Sequence, residues 1–257
     1  MRPSWYGPIS GACSTPWRRH RHSSVAGFFC AGDCHVASRT VLAVGRLTEQ
    51  KGFDVLLEAW ARVARQHPDW RLRIVGWGED ENALKAQAWT LGLSESVVFV
   101  GRTSRVEEEY QRAALFAMSS RWEGLPMTLL EAQSFGLPVV STNCETGPAE
   151  ILQGGSGVLV DVEDAAALAR ELCLLIEDAP RRQQMSLLAR ENAARFDADV
   201  LCDEWQQLLA RMLPGLAQYQ KRAGEQGASQ SGKPSAKHSL TSRPVTPARV
   251  TPICWWP

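Results

Sequence analysis

Long apolar runs are absent from this sequence, histidine is scarce, and neither sign of charge is in excess. No apolar run approaches the roughly 18 residues that a helix needs to span a bilayer. The five histidines lie outside the loops discussed below, so no nucleophile is paired with a histidine base. Lys and Arg together number 28, as do Asp and Glu. These absences argue against a membrane-spanning protein and against a histidine-dependent hydrolase.

Charge is unevenly distributed along the chain. Residues 1–39 hold five Lys or Arg against one acidic residue, and residues 221–257 hold six against one. Residues 40–220 therefore carry 17 basic and 26 acidic side chains. A central part this acidic is a poor candidate for binding nucleic acid. We interpret the basic ends as solvated tails, with peripheral contact to an anionic membrane as an open alternative.

Cysteine is present without the arrangement of a disulfide framework. The seven cysteines are odd in number and scattered along the chain, which predicts reduced thiols. We therefore expect a cytoplasmic location, with the inner face of the membrane as an alternative. The run from Cys30 to Cys34 and His35 resembles half a zinc site, but no second Cys/His pair follows at zinc spacing. We interpret this run as chance and expect no metal.

Strand and helix patterns alternate between residues 39 and 213, which we take as one domain. This alternation predicts an α/β fold, a Rossmann-like parallel sheet with helices on both faces. Residues 1–38 show no periodicity and are left unassigned as irregular, and residues 214–257 are predicted to be a disordered basic tail. Short apolar runs predict six strands, at 40–45, 71–76, 97–101, 114–118, 137–141 and 156–160.

The stretch between residues 120 and 136 organises the rest of the chain. It places Glu123 and Glu131 eight residues apart, with Gly124 and Pro126 between them. Pro126 suits the first turn of a helix, so Glu123 should lie in a loop and Glu131 in the helix. The unpaired N–H groups at such a helix start favour an anion such as phosphate. From spacing alone, the two glutamates are either a general acid and base or a helix-start carboxylate and a surface glutamate.

Other unusual residues also follow predicted strands. Ligands of parallel sheets bind outside the carboxyl ends of the strands. Arg46 and Lys51 flank the loop after the first strand, where two cations could neutralise a diphosphate, although two solvated surface charges are the alternative. Gly76-Trp77-Gly78 follows the second strand, but Glu81 stands where a dinucleotide fingerprint has its third glycine. This run predicts a tight turn near the ligand rather than an NAD site.

Two further features are given structural explanations. Asp197-Ala-Asp199 matches the D-x-D pattern of some metal-dependent sugar transferases, but it lies between two predicted helices, away from the strand ends. An N-cap explains it better than a metal site. Four tryptophans have apolar neighbours and are predicted to lie in the core, namely Trp60, Trp70, Trp89 and Trp205.

Taken together, these motifs resemble family 4 of the glycosyltransferases, retaining enzymes of the GT-B fold. Residues 44–54 resemble the loop that binds the donor phosphates in that family, and residues 123–131 resemble its E-x7-E signature. Residues 137–141 follow at the expected place. Residues 142–152 resemble a segment of members that use UDP-activated hexoses or N-acetylhexosamines. The match covers about residues 40–213, the C-terminal donor-binding half of a two-domain enzyme.

The resemblance implies a role for each candidate residue. Arg46 and Lys51 would hold the donor diphosphate. Glu123 would be the catalytic residue in contact with the donor sugar, and Glu131 would bind the ribose. The family needs no metal or other cofactor, so the two cations and a helix dipole would stabilise the leaving diphosphate. Further contacts are implied to sugar and phosphate from the backbone of Gly124, Leu125, Pro126, Met127 and Thr128, and near the base from Arg102, Thr103 and Ser104.

The function implied is transfer of a hexose or N-acetylhexosamine from a UDP-sugar to a glycan or lipid-linked acceptor, with retention, in polysaccharide biosynthesis. Residues 1–38 are too short for the acceptor domain of the family, so we expect a truncated chain. A non-catalytic nucleotide-sugar-binding module, or a subunit that needs a separate acceptor domain, is the alternative. A third hypothesis, an NAD-dependent oxidoreductase, rests on Gly76-Trp77-Gly78 and the fold class alone.

Overall fold

The structure is a computed structural model, and it describes residues 37–212. The predicted tail at 214–257, the cluster from Cys30 to His35 and all but the last two residues of the irregular segment 1–38 lie outside the described residues. The chain divides into two compact units, Met1–Asp203 and Glu204–Pro257. Within residues 37–212, no helix combines the length and apolar character needed to cross a membrane.

Six parallel strands form a single sheet, which confirms the predicted α/β fold. Neighbouring strands follow the order β3-β2-β1-β4-β5-β6. The direction in which the chain adds strands therefore reverses between β1 and β4, and this reversal is the topological switch point at which such sheets bind ligands. The strand bounds are β1 Thr40–Val44, β2 Arg71–Val75, β3 Val97–Gly101, β4 Leu115–Met118, β5 Val139–Thr142 and β6 Gly157–Val160.

Helices cover both faces of the sheet and close two hydrophobic cores. One core is built around the buried Trp60 and includes side chains of α1, α2 and α6. The other is built around Tyr110 and Phe116 and includes side chains of α3, α4 and α5. The helix bounds are α1 Phe53–Gln66, α2 Glu81–Thr90, α3 Val106–Arg112, α4 Met127–Ser134, α5 Pro148–Ile151, α6 Ala165–Glu177, α7 Ala179–Ala193 and α8 Ala198–Met212, with 3-10 turns at Glu49–Lys51 and Ala194–Phe196.

The central strands are buried on both faces, as the apolar runs predicted. In β4, Leu115 and Ala117 belong to the first core, whereas Phe116 and Met118 belong to the second. Successive side chains of a strand point to opposite faces, so an unbroken apolar run fills both cores at once.

The core prediction for the tryptophans is confirmed at two positions and wrong at two. Trp60 and Trp70 are buried, but Trp89 is 77% exposed and Trp205 is 63% exposed. In α2 the buried residues are Leu84 and Ala88, so Trp89 falls on the solvent side of the helix. No described residue of α8, which carries Trp205, is buried.

The N-cap interpretation of the D-x-D pattern is confirmed. The Asp197 carboxylate accepts a hydrogen bond from the backbone N–H of Asp199 at 2.9 Å, directly before α8 begins at Ala198. This bond satisfies one of the N–H groups that a helix start leaves without an intrahelical partner.

Candidate active site

The loops that follow β1 and β4 meet at the switch point of the sheet. The two strands are neighbours, with Val41 opposite Leu115. The first loop ends in the 3-10 turn that carries Lys51, and the second leads through Glu123 to α4. The structure therefore brings together two candidate residues that lie 72 positions apart in the sequence.

Lys51 and Glu123 form an ion pair that is almost closed to solvent. Lys51 Nζ lies 2.6 Å from Glu123 Oε1, and the two side chains are 14% and 6% exposed. Ser120 Oγ donates a second hydrogen bond to the same oxygen, also at 2.6 Å. Two charges withdrawn from water are costly unless they are well paired. Such a pair is a candidate for function here because it lies at the carboxyl ends of neighbouring parallel strands, where ligands of these sheets bind.

Backbone and side-chain hydrogen bonds join the two loops. Ser119 Oγ donates to the carbonyl oxygen of Lys51 at 2.9 Å. The backbone N–H of Arg121 donates to the carbonyl oxygen of Gln50 at 2.8 Å, and Gln50 Nε2 donates to the carbonyl oxygen of Trp122 at 3.0 Å. The segment directly before Glu123 is thus held against the turn that carries Lys51.

Arg121 adds a third loop to this assembly. Its guanidinium donates to both carboxylate oxygens of Asp54, at 2.9 and 2.7 Å, and to the carbonyl oxygen of Glu49 at 2.6 Å. It also pairs with Glu163, in the loop before α6. Burial raises the pKa of Asp54, but the hydrogen bonds and charge of Arg121 outweigh it, so the pKa lies below its ordinary value. Among the described non-glycine residues, Glu163 alone has a positive φ, at 65°.

Two positions of the site require glycine because a neighbouring segment of the chain lies too close for a Cβ atom. A Cβ added at Gly52, which has a φ of 57°, would lie 2.2 Å from the carbonyl oxygen of Ser119. At Gly147 an added Cβ would lie 2.4 Å from Pro126 Cδ. The hydroxyl of the neighbouring Thr146 donates to the carbonyl oxygen of Glu123. The loop after β5 therefore packs directly on the segment that leads into α4.

The start of α4 is directed into the same region. The helix begins at Met127, so Pro126 is its N-cap and not, as the sequence predicted, a residue of its first turn. Pro126 lies outside the helix because its ψ of 91° is extended. Among the described residues, no side-chain hydrogen bond caps this end. Leu125 and Met127 are both exposed, and Thr128 is half-buried. The first-turn N–H groups can therefore serve an anion.

Glu131 lies one turn into α4 and contacts a residue that the sequence did not single out. Tyr110 Oη donates to Glu131 Oε2 at 2.8 Å. Burial raises the pKa of Glu131, the hydrogen bond from Tyr110 opposes this rise, and the charge of Glu107 adds to it. The residue as a whole is still exposed.

The loops after β2 and β3 lie beside the switch point. The backbone N–H of Leu47 donates to the carbonyl oxygen of Trp77 at 2.9 Å, which ties the predicted tight turn to the loop after β1. The Arg102 guanidinium lies 4.7 Å from the centre of the Trp77 ring, a cation–π contact. Thr103 Oγ1 accepts a hydrogen bond from the backbone N–H of Arg105, and Ser104 is exposed.

Arg46 is the first residue with a long side chain in the loop after β1. The structure places it directly after Gly45, with the residue half-buried. Lys51 folds back along the same loop, and its Cγ and Cδ lie 3.4 Å from where a Cβ of Gly45 would stand. The two predicted diphosphate cations therefore belong to one loop at the end of one strand.

Similarity to known proteins identifies the family of this chain. The model of the family described as glycosyl transferases group 1 matches residues 36–192. The chain belongs to this family. Membership confirms the resemblance drawn from the motifs and disfavours an NAD-dependent oxidoreductase.

The curated group 1 relatives are longer than this chain. Over 169 residues it is 37% identical to the amylovoran biosynthesis glycosyltransferase AmsD of Erwinia amylovora, covering 66% of this chain and 47% of that protein. Over 173 residues it is 36% identical to an uncharacterized glycosyltransferase of Haemophilus influenzae, covering 67% and 49%. The chain thus spans about half the length of the curated relatives it matches.

Solved structures place this group 1 domain among GT-B glycosyltransferases, as predicted. It is similar to Anabaena Alr3699/HepE in complex with UDP, with a TM-score of 0.63, 25% identity, and coverage of 68% of this chain and 50% of that one. The same protein in complex with UDP and glucose matches with a TM-score of 0.61 and 26% identity.

Several residues of the site were not predicted from the sequence. Ser120 lies three residues before Glu123, and its hydroxyl could have been suspected from that spacing alone. Tyr110 lies 21 positions from its partner Glu131. Asp54 and Glu163 lie 67 and 42 positions from their partner Arg121, so no local pattern indicates these contacts. Their roles follow from the order of the strands rather than from any motif.

Proposed function

We propose that this group 1 chain is the donor-binding half of a retaining glycosyltransferase. The donor would be a UDP-activated hexose or N-acetylhexosamine, and the acceptor a glycan or a lipid-linked saccharide. The observation that carries this proposal is the ion pair of Lys51 and Glu123, 2.6 Å apart at the switch point. It sets a cation for the diphosphate beside a carboxylate for sugar hydroxyls, next to the start of α4.

In this proposal the protein itself stabilises the leaving group. The bond between the anomeric carbon and the diphosphate oxygen breaks, and the diphosphate leaves with both electrons. Lys51, Arg46 and the first turn of α4 offset the charge that builds there, with no metal ion required. Glu123, held by Lys51 and by Ser120, contacts the sugar at its reacting face. A bond to the acceptor oxygen then forms on the same face of the sugar, and the acceptor hydroxyl gives its proton to the departing diphosphate oxygen.

The nucleoside end of the donor is assigned to the neighbouring loops. Glu131 binds the ribose hydroxyls, and the loop of Arg102, Thr103 and Ser104 lies near the base. The contact between Arg102 and Trp77 supports this assignment because guanidinium groups and indole rings both stack on bases. A lipid-linked acceptor would place the reaction at the cytoplasmic face of a membrane. The relative AmsD, named for amylovoran biosynthesis, supports a role in polysaccharide assembly.

Calorimetric titration of the full chain with UDP tests the binding half of the proposal. We expect binding by the unmodified chain and a loss of at least about tenfold in Lys51→Ala, because one charge-assisted contact to phosphate is removed. Lys85→Ala is the matched control, since Lys85 pairs with Glu81 on the exposed side of α2. UDP affinity should be unchanged in that variant. No binding of UDP to the unmodified chain would overturn the proposal.

Transfer assays then separate the enzyme from a second candidate, a nucleotide-sugar-binding module without catalysis. This candidate needs only the donor-side groups that residues 37–212 bring together at the switch point. UDP-glucose and UDP-N-acetylglucosamine would be offered with a panel of saccharide acceptors, alone and with the N-terminal half of a relative added. Transfer under either condition supports the enzyme. Tight UDP binding with no transfer in any mixture supports the module.

A further inference from the structure

We propose that Tyr110 is a positioning residue that holds the Glu131 carboxylate in the orientation in which it receives the ribose. This inference rests on the proposed function, which gives the ribose to Glu131. It adds a residue from a different helix, α3, whose contribution acts entirely through Glu131.

The position of the Tyr110 ring is fixed by packing. The residue is 1% exposed. Its ring stacks on that of Phe135, with centroids 5.2 Å apart and an interplanar angle of 10°, and lies 6.0 Å from the ring of Phe116. Because aromatic neighbours at the C-terminal end of α4 and in β4 hold the ring, its hydroxyl projects at a defined point beside Glu131.

Glu131 is less enclosed than Tyr110. The residue as a whole is exposed, its carboxyl group is partly buried, and a glutamate that lacks a partner samples several rotamers. The 2.8 Å hydrogen bond from Tyr110 selects one of them. A side chain ordered before the ligand arrives loses less conformational freedom on binding, so the contact favours nucleotide affinity.

The bond leaves the carboxylate able to bind a diol. An ionised carboxylate offers about four acceptor positions on its two oxygens, and Tyr110 occupies one on Oε2. The remaining positions suffice for two neighbouring ribose hydroxyls. The alternative explanation is that the carboxylate satisfies a buried phenol. The carbonyl oxygen of Thr128 also accepts from Tyr110, at 3.4 Å, but this longer contact is the weaker one.

Two nucleotides distinguish these explanations. The full chain and its Tyr110→Phe variant would be titrated with UDP and with 2′,3′-dideoxy-UDP, which lacks the hydroxyls assigned to Glu131. We expect Tyr110→Phe to weaken UDP binding about three- to tenfold, the range of a single hydrogen bond, and to change dideoxy-UDP binding less than about twofold. The substitution removes one oxygen and keeps the stacked ring. The ratio of the two affinities is also insensitive to a uniform loss of folded protein.

A Glu131→Ala background supplies the control. If Tyr110 acts through Glu131, adding Tyr110→Phe to Glu131→Ala should leave UDP affinity unchanged. Equal weakening of both nucleotides by Tyr110→Phe, or no weakening of UDP, would overturn the inference while leaving the proposed function in place. Absence of UDP binding by the unmodified chain would overturn both.

Discussion

Lys51 and Glu123 are held so far from solvent that each depends on the other for compensation of its charge. The side chains are 14% and 6% exposed, and Ser120 donates a further hydrogen bond to the shared carboxylate oxygen. Removing one member of a buried pair leaves an uncompensated charge, whereas replacing both by apolar groups is often nearly neutral. This asymmetry separates the contribution of the pair to stability from its contribution to binding.

We therefore predict that Lys51→Met and Glu123→Leu each lower the free energy of unfolding by about 3 kcal/mol. The double variant should be more stable than the sum of the two losses implies, by at least about 1 kcal/mol. Urea-induced unfolding measures all three variants. Lys85→Met, in an exposed pair with Glu81, should stay within about 0.5 kcal/mol of the unmodified chain. Additive losses would contradict a direct coupling.

A second prediction at this scale concerns pH. Burial raises the pKa of Glu131 above its ordinary 4.5, so the carboxylate takes up a proton earlier on acidification than a solvated one does. The protonated form gives up acceptor positions for the ribose. UDP affinity should therefore fall as the pH is lowered through this raised pKa. Dideoxy-UDP shares the phosphate titration and should lack the additional fall, and parallel pH profiles for the two nucleotides would refute the prediction.

Residue types at the site were predictable from the sequence, but their pairings were not. Local signals single out four residues, each in a loop that follows a strand or in the helix to which such a loop leads, namely Arg46, Lys51, Glu123 and Glu131. The contact between Lys51 and Glu123 spans 72 positions and depends on β4 lying beside β1. Tyr110 looked like an ordinary core residue because nothing near it in sequence indicates that its hydroxyl meets a carboxylate.

Between elements, one close backbone contact joins the loops that carry Lys51 and Glu123, and it lies at Gly52. A Cβ there would lie 2.2 Å from the carbonyl oxygen of Ser119, in the loop that leads to Glu123. Gly154 has a similar φ, 64° against 57°, but an added Cβ would meet nothing within 4 Å. The two positions share the conformational cost of a left-handed residue and differ in the loop contact.

We predict that Gly52→Ala destabilises the chain by about 1–3 kcal/mol more than Gly154→Ala does, because only the first forces backbone apart. Gly52→Ala should also weaken UDP binding, whereas Gly154→Ala should not. Urea unfolding and calorimetry measure the two effects. Equal behaviour of the two variants would show that the contact between the loops contributes nothing.

Element bounds followed local patterns closely where the pattern was unambiguous. The third strand was predicted at 97–101 and is found at Val97–Gly101. The predicted start of α4 at Pro126 was one residue too early. Residue type alone does not determine the backbone angle that makes Pro126 the N-cap. The error at Trp89 has a related cause: α2 buries few residues, so apolar neighbours did not identify its inner face.

At the scale of the molecule, both cores border the switch point, so a ligand bound there should stabilise the entire domain. Binding to the folded state alone contributes about 2.7 kcal/mol when the ligand is at about 100 times its Kd. We predict that UDP at such a concentration raises the unfolding temperature by about 5–10 °C. Uridine at the same concentration lacks the phosphates and is the control. An equal shift with uridine would contradict a diphosphate site.

Alternation of strands and helices predicted the parallel sheet, whereas the order of the strands lay beyond local reasoning. Two sheets that contain the same strands in a different order would have the same sequence patterns for every strand and helix. The order is decided by which pairing buries the most apolar surface, a property of the assembled chain.

The pairing of β1 with β4 also has a consequence for the time course of folding. β2 reaches β1 after a single helix, but β4 reaches it only after two strands and three helices have intervened. Closing a longer loop costs more entropy, and contacts distant in sequence slow folding. On the ribosome, a nascent chain should therefore acquire affinity for UDP only after β4 and the helix behind it have emerged. Nucleotide binding would then report the pairing of β4 with β1 rather than the first formed secondary structure.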